Sequence, residues 1–207
     1  MRKNLETHSV RLTLQFLEEF PDQASKNCKT KEKQIANINK SLNDNILPNK
    51  RTTVVDNLTS ELLEMVFKHK KIDREKIQNN YNDQKQMEMM IGKLLERYIA
   101  TIGQKYGWAF TGECIKSVDF IKKEDACWTT LQVKNSDNTE NSSSQSVREG
   151  TTILKWVRRN STKGIYLWSK FPDKNLKKHL SEEGFSKFTK NHFKNNSELL
   201  KLFFSAS

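Results

Sequence analysis

Apolar residues recur every three or four positions through the first hundred residues and every second position afterwards, so helices are predicted first and strands second. Leu5 to Phe20 has helical spacing and is stopped by Pro21. Lys31 to Asp44 forms a second, more polar helix ending before Pro48. Thr59 and Ser60 offer N-caps for a third over Glu61 to Lys71. From Gln84 to Lys105 the residues Met87, Ile91, Leu94, Leu95, Tyr98 and Ile102 mark one helical face, and Tyr106-Gly107 closes that helix. The pattern then shortens. Trp108 to Gly112, Cys114 to Lys122 and Trp128 to Asn135 read as three strands, the last two joined by a turn at Lys123-Glu124-Asp125. A stretch without any apolar residue (135–146) is a loop, Ile153 to Arg159 returns to helical spacing, and Ile165 to Phe171 reads as a strand. Phe185, Phe188, Phe193, Leu199, Leu200, Phe203 and Phe204 suggest short packing helices in the tail.

All seven glycines lie beyond residue 91, which separates an N-terminal helical region (1–83) from a core (84–207) of α/β type. The charge sharpens that division. The formal net charge is +11, and residues 92–207 hold 20 basic and 12 acidic residues against 16 and 13 before them. An excess of this size favours a polyanionic partner, because each neutralised phosphate releases counterions. It does not distinguish an enzyme from a passive binder. Three cysteines (Cys28, Cys114 and Cys127) match neither a zinc spacing nor a disulfide framework, and a reduced, cytoplasmic setting is expected. No apolar run approaches the roughly 20 residues of a membrane span. The N-terminus, with acids inside its apolar stretch, does not read as a secretory signal.

The strands carry the candidate chemistry. Positions i and i+2 of a strand share a face. In Ile115 to Ile121, Asp119 faces one side while Val118 and Phe120 face the other. In Leu131-Gln132-Val133-Lys134, Gln132 and Lys134 share a face while Leu131 and Val133 turn to the core. An acid followed by acid-x-lysine on neighbouring strands is what metal-assisted phosphodiester hydrolysis requires, since Mg²⁺ takes oxygen ligands and keeps several waters. Here Gln132 stands in the second acidic position. Its amide oxygen can ligate a hard cation, but one negative charge is missing. Glu96, in the helical stripe Gly92-Glu96-Ile99-Ala100-Gly103, is the candidate to restore it, with Glu113 as a second. The expected metal set is Asp119, Gln132 and Glu96, with Lys134 completing the catalytic group.

The polar loop begins directly after Lys134. Asn135, Asp137, Asn138, Glu140, Asn141, Ser143, Gln145 and Arg148 carry the donors and acceptors that read base edges. Lys155, Arg158, Arg159 and Lys163 would hold phosphates without reading sequence.

The run from Lys116 to Ile121 followed by Leu131-Gln132-Val133-Lys134-Asn135-Ser136-Asp137-Asn138-Thr139-Glu140-Asn141 resembles SinI-type restriction endonucleases, over roughly residues 85–175. That resemblance implies a PD-(D/E)XK fold, a mixed sheet flanked by helices, here with an N-terminal helical extension. It implies a type II enzyme that cuts duplex DNA at a short GC-rich site of the GGWCC kind with Mg²⁺. It also implies a homodimer paired in function with a cognate DNA methyltransferase, and it points to Asp119, Gln132 and Lys134 as catalytic. The alternative is a basic nucleic-acid-binding protein without catalysis, or a degenerate nuclease, which Gln132 and the net charge would also suit. Gly164-Ile165-Tyr166 has no second motif partner, and the four histidines are too scattered for a histidine-based nuclease site.

Overall fold

In a computed structural model of the chain, residues 2–42, 74–137 and 153–196 are described. The first helix, α1 (Arg2–Glu19), and the second, α2 (Lys31–Ser41), are joined by a segment that opens with a 3₁₀ turn at Pro21–Gln23. The third, α3 (Arg74–Gly103), has 30 residues and is therefore about 45 Å long. Five strands follow: β1 (Trp108–Ile115), β2 (Val118–Glu124), β3 (Cys127–Ser136), β4 (Leu154–Asn160) and β5 (Ile165–Tyr166). The last helix, α4 (Glu182–Asn195), starts at Ser181, whose hydroxyl accepts from the Gly184 amide at 3.0 Å. The expected helix Glu61–Lys71 and the end of the tail lie outside the described residues.

The strands form one sheet in the order β1-β2-β3-β4-β5, with β3 and β4 parallel and the other pairs antiparallel. With helices around it, this is the mixed restriction-endonuclease-like α/β fold that the sequence suggested. The boundaries differ from expectation in two places. Gly112 does not end a strand. It sits in a bulge of β1 at φ +59, where a side chain would strike the Asn37 amide oxygen, and the hairpin turn comes later at Lys116-Ser117. The next turn is correspondingly shifted, with Asp125 at φ 52.

The larger correction concerns residues 153–159. They form no helix: β4 pairs in parallel with β3 through Leu131↔Leu154, Val133↔Trp156 and Ser136↔Arg159. Ile153, Trp156 and Val157 have helical spacing by coincidence, and the alternation was hidden because the second inward residue is Arg158. That guanidinium is buried, 2.8 Å from Glu182, and lies over the rings of Tyr166 and Phe185. Beyond Ile165-Tyr166 the predicted strand turns into a 3₁₀ turn at Trp168–Lys170.

The N-terminal helices share one apolar core with the sheet. Leu5, Leu12, Phe16 and Ile38 belong to the same cluster as Leu94, Phe120, Leu131 and Trp156. Their polar atoms complete the outer edge of β1. Ser9 Oγ accepts from the Phe110 amide, Asn37 Oδ1 accepts from Glu113 N at 3.0 Å, and Ser25 N donates to the Cys114 carbonyl at 2.8 Å. An edge strand left open would recruit another chain, and these contacts close it. Arg97 of α3 then ties α2 down by donating to the carbonyls of Ser41 and Leu42 at its C-terminus.

Candidate active site

A cleft of about 360 Å³ runs between α3 and the adjoining ends of β2 and β3. Leu95 and Glu96 line it from the helix, and Asp119, Gln132, Val133 and Lys134 from the strands. Its shape follows from how the sheet opens. The β2–β3 ladder runs from Glu124↔Cys127 to Phe120↔Leu131 and stops there. One step further, Asp119 stands across from Gln132, and its Oδ2 accepts from the Val133 amide at 2.7 Å. A side chain thus takes over a backbone partner, which fixes one carboxylate oxygen and leaves the other available to the cleft.

Alternation does the rest. Val118, Phe120, Leu131 and Val133 are buried in the core, as the sequence predicted. Gln132 is 5% exposed, so its amide is a polar group held deep in the wall of the cleft. Glu96 reaches the same place from α3, one turn before the buried residues Ile99 and Ala100. The four residues Glu96, Asp119, Gln132 and Lys134 therefore line one cavity.

Their electrostatics are those of a crowded anionic site. Burial pushes the Asp119 carboxyl up to about 6, against the opposing pull of the Val133 amide and the Lys134 ammonium. Glu96 is raised well above the ordinary glutamate range, first by burial and then by the charge of Asp119, with Glu113 adding and Lys93 and Lys134 opposing. Two buried carboxyls, one of them raised further by the charge of the other, favour a cation between them or a retained proton. Among the described residues no three acidic, histidine or cysteine side chains converge. Beyond the two carboxylates, the Gln132 amide, the backbone and water are the oxygen donors left to a bound cation. Hard oxygen donors of this kind, two of them charged, fit Mg²⁺. Glu113 is exposed and does not line the cleft, whereas Glu96 and Gln132 do.

The predicted DNA-contacting residues separate into distinct groups. Asn135 lines the cleft directly. Asp137 does not present a free carboxylate: it accepts from the Asn160 amide at 2.7 Å and from the Ser161 backbone at 2.8 Å, and so pins the β4–β5 turn. Lys155 is the register partner of Gln132, so the two leave the sheet on one side, and Lys155 is exposed. Arg159 and Lys163 are exposed as well. Arg158 is not: its burial and its bond to Glu182 make it part of the packing rather than a phosphate clamp. Asn138, Glu140, Asn141, Ser143, Gln145 and Arg148 lie outside the described residues. Sequence reasoning missed the helix residues Lys85, Glu88 and Met89, which extend the cleft wall from Glu96 toward the start of α3. Their spacing at i, i+3 and i+4 was the available signal.

Comparison with known proteins adds an independent line. The family model described as SinI restriction endonuclease matches residues 6–195. The chain is 38% identical over 192 residues to the type II restriction enzyme Eco47I of Escherichia coli, covering 86% of this chain and 84% of that protein. It is 34% identical over 202 residues to the type II restriction enzyme SinI of Salmonella infantis, covering 91% and 87%. The family match begins inside α1, well before residue 85, in keeping with the helices that close the edge of β1.

Proposed function

Because this chain belongs to the SinI restriction endonuclease family, we propose that it hydrolyses duplex DNA at a short specific site, with Mg²⁺, through Glu96, Asp119, Gln132 and Lys134. The observation that carries this reading is that two buried carboxyls, Glu96 and Asp119, line one cleft with Gln132 and Lys134. Mg²⁺, when bound, supplies positive charge against the scissile phosphate and its attacking water.

Asp119 and Glu96 hold the cation, and the Gln132 amide adds a neutral oxygen. Asp119 is the better oriented of the acids, because the Val133 amide fixes its rotamer and aims the second oxygen into the cleft. Lys134, two residues on from Gln132, orients the attacking water and balances negative charge that develops on the phosphate. Burial of Gln132 keeps the ligand set dry on the sheet side, where electrostatic interactions are strongest.

Sequence selection falls to Asn135 and the residues after it, and phosphate contacts fall to Lys155, Arg159 and Lys163 on exposed positions. The family resemblance supports a GGWCC-like target, a homodimer matching a palindromic site, and a methyltransferase that protects the same site. The test is Lys134→Ala. It abolishes Mg²⁺-dependent cleavage of plasmid DNA while specific binding in Ca²⁺ persists. Normal cleavage by this variant would remove Lys134 from the reaction.

A further inference from the structure

The wall of the cleft formed by α3 presents Lys85, Met89, Gly92 and Glu96 at helical spacing, so one face of one helix runs along it for about 16 Å. Two of these residues are unusual for an exposed helix. Met89 is 41% exposed, a large apolar side chain facing the cleft rather than the core. Gly92 lies in the interior of a helix of 30 residues, where glycine costs stability relative to alanine.

Nothing within the described protein accounts for that glycine. It has helical backbone with no positive φ, so a residue with a side chain fits the conformation. A Cβ built on it meets no atom within 4 Å. Gly103 on the same helix is the contrast: a Cβ there comes within 3.2 Å of the Trp108 side chain and 3.4 Å of Leu176, so its small size serves helix-to-sheet packing. The space over Gly92 opens instead into the cleft, one turn from Glu96.

We infer that Gly92 is a positioning residue for substrate, the point at which the DNA sugar–phosphate backbone next to the scissile phosphate passes closest to α3, with Met89 packed on the flanking deoxyribose. Because Gly92 lies one turn from Glu96 on the same cleft wall, a phosphodiester strand that brings its scissile phosphate to Glu96 and Asp119 passes along the helix backbone there. Any Cβ at position 92 holds it away. The polar backbone and the missing side chain accept the strand, and the exposed thioether of Met89 gives the sugar an apolar surface that is otherwise costly to leave in water.

This inference rests on the nuclease reading, and the experiment separates the two. The probe is a plasmid that the unsubstituted protein cuts in Mg²⁺, with a labelled fragment carrying one of its cleavage sites. Failure of the unsubstituted protein to cut any duplex rejects the nuclease reading itself. Given cleavage, Gly92→Ala unfolds at a higher temperature than the unsubstituted protein, because alanine favours the helix, yet its kcat/KM falls about tenfold. Gly92→Leu falls about a hundredfold, in line with the cost of displacing a substrate by about 1 Å. Both variants bind the labelled fragment more weakly in Ca²⁺, while Mn²⁺ binding to the DNA-free protein stays unchanged. The inference is overturned if Gly92→Ala cuts and binds as the unsubstituted protein does. A lower unfolding temperature, or weakened Mn²⁺ binding, also overturns it, since either shows that Gly92 serves packing or the metal ligands.

Discussion

Replacing Asp119 by Asn should make the metal-free protein more stable while destroying its activity. The carboxyl is raised from 3.8 to about 6 because burial disfavours its charge more than the Val133 amide and Lys134 favour it. The sign follows from proton linkage. Below pH 3.8 both folded and unfolded chains carry the proton, and the site costs nothing. Between 3.8 and about 6 the unfolded chain releases it first, and above about 6 the folded protein bears the whole penalty. That gap is worth about 3 kcal/mol as an upper bound. Asn removes the charge but keeps a neutral oxygen for the Val133 amide, at a loss of roughly 1 kcal/mol for a weaker hydrogen bond. The net gain is about 1–2 kcal/mol above pH 7, or about 3–6 °C in a chain of this size. Thermal unfolding in EDTA from pH 4 to pH 8 measures it. The advantage of Asp119→Asn grows through pH 5–6 and vanishes near pH 4. A variant less stable than the parent at pH 7.5, by an amount independent of pH, refutes the electrostatic account.

Other substitutions probe the remaining parts. Gln132→Glu restores the missing charge, so half-maximal cleavage moves to lower Mg²⁺ concentration while the metal-free protein loses stability above pH 6; an unchanged Mg²⁺ requirement separates Gln132 from the metal. Asp173 accepts from the Trp108 indole at 2.8 Å and from Lys122 at 3.0 Å. Burial alone would raise its carboxyl, but the Leu176 amide, the Trp108 indole, Lys122 and the Asn175 amide outweigh it and lower it from 3.8 to about 2. Its contribution, about 2 kcal/mol, is present above pH 3.8 and lost as the pH falls toward 2. Asp173→Asn should therefore lower the unfolding midpoint at pH 7 and not at pH 2, which denaturant titration reads. Arg158→Ala leaves Glu182 half-buried without its ion pair and costs about 3 kcal/mol. Lys155→Ala and Arg159→Ala should leave stability within about 0.5 kcal/mol and reduce the salt dependence of DNA binding. If Arg158→Ala weakens DNA binding without destabilising the fold, its assignment to the packing is wrong.

The site was legible where a strict period met unlike residues. Asp119 between Val118 and Phe120, and Gln132 and Lys134 around Val133, could each be placed on a face because the sheet admits only two. Glu96 was legible from its stripe of small neighbours. The misread polar positions share one cause: a partner far along the chain. Arg158 points inward because Glu182 and two aromatic rings await it, and without that knowledge the alternation of β4 dissolved into helical spacing. Asp137 looked like a base-reading acid, although Asn160 and Ser161 occupy it. Ser9, Ser25 and Asn37 carried no signal in the sequence, and they close the edge of β1. Long-range hydrogen bonds leave no local trace in a sequence, whereas apolar periodicity does.

The arrangement of the ligands is tested most directly by locating the cation. Crystals grown with Mn²⁺ and a cleavable duplex should show one anomalous peak bonded to the Asp119 carboxylate and within ligand reach of Glu96 and the Gln132 amide oxygen, with Lys134 beside the scissile phosphate. A peak held by other side chains, or a scissile phosphate far from Asp119 and Lys134, contradicts the mechanism.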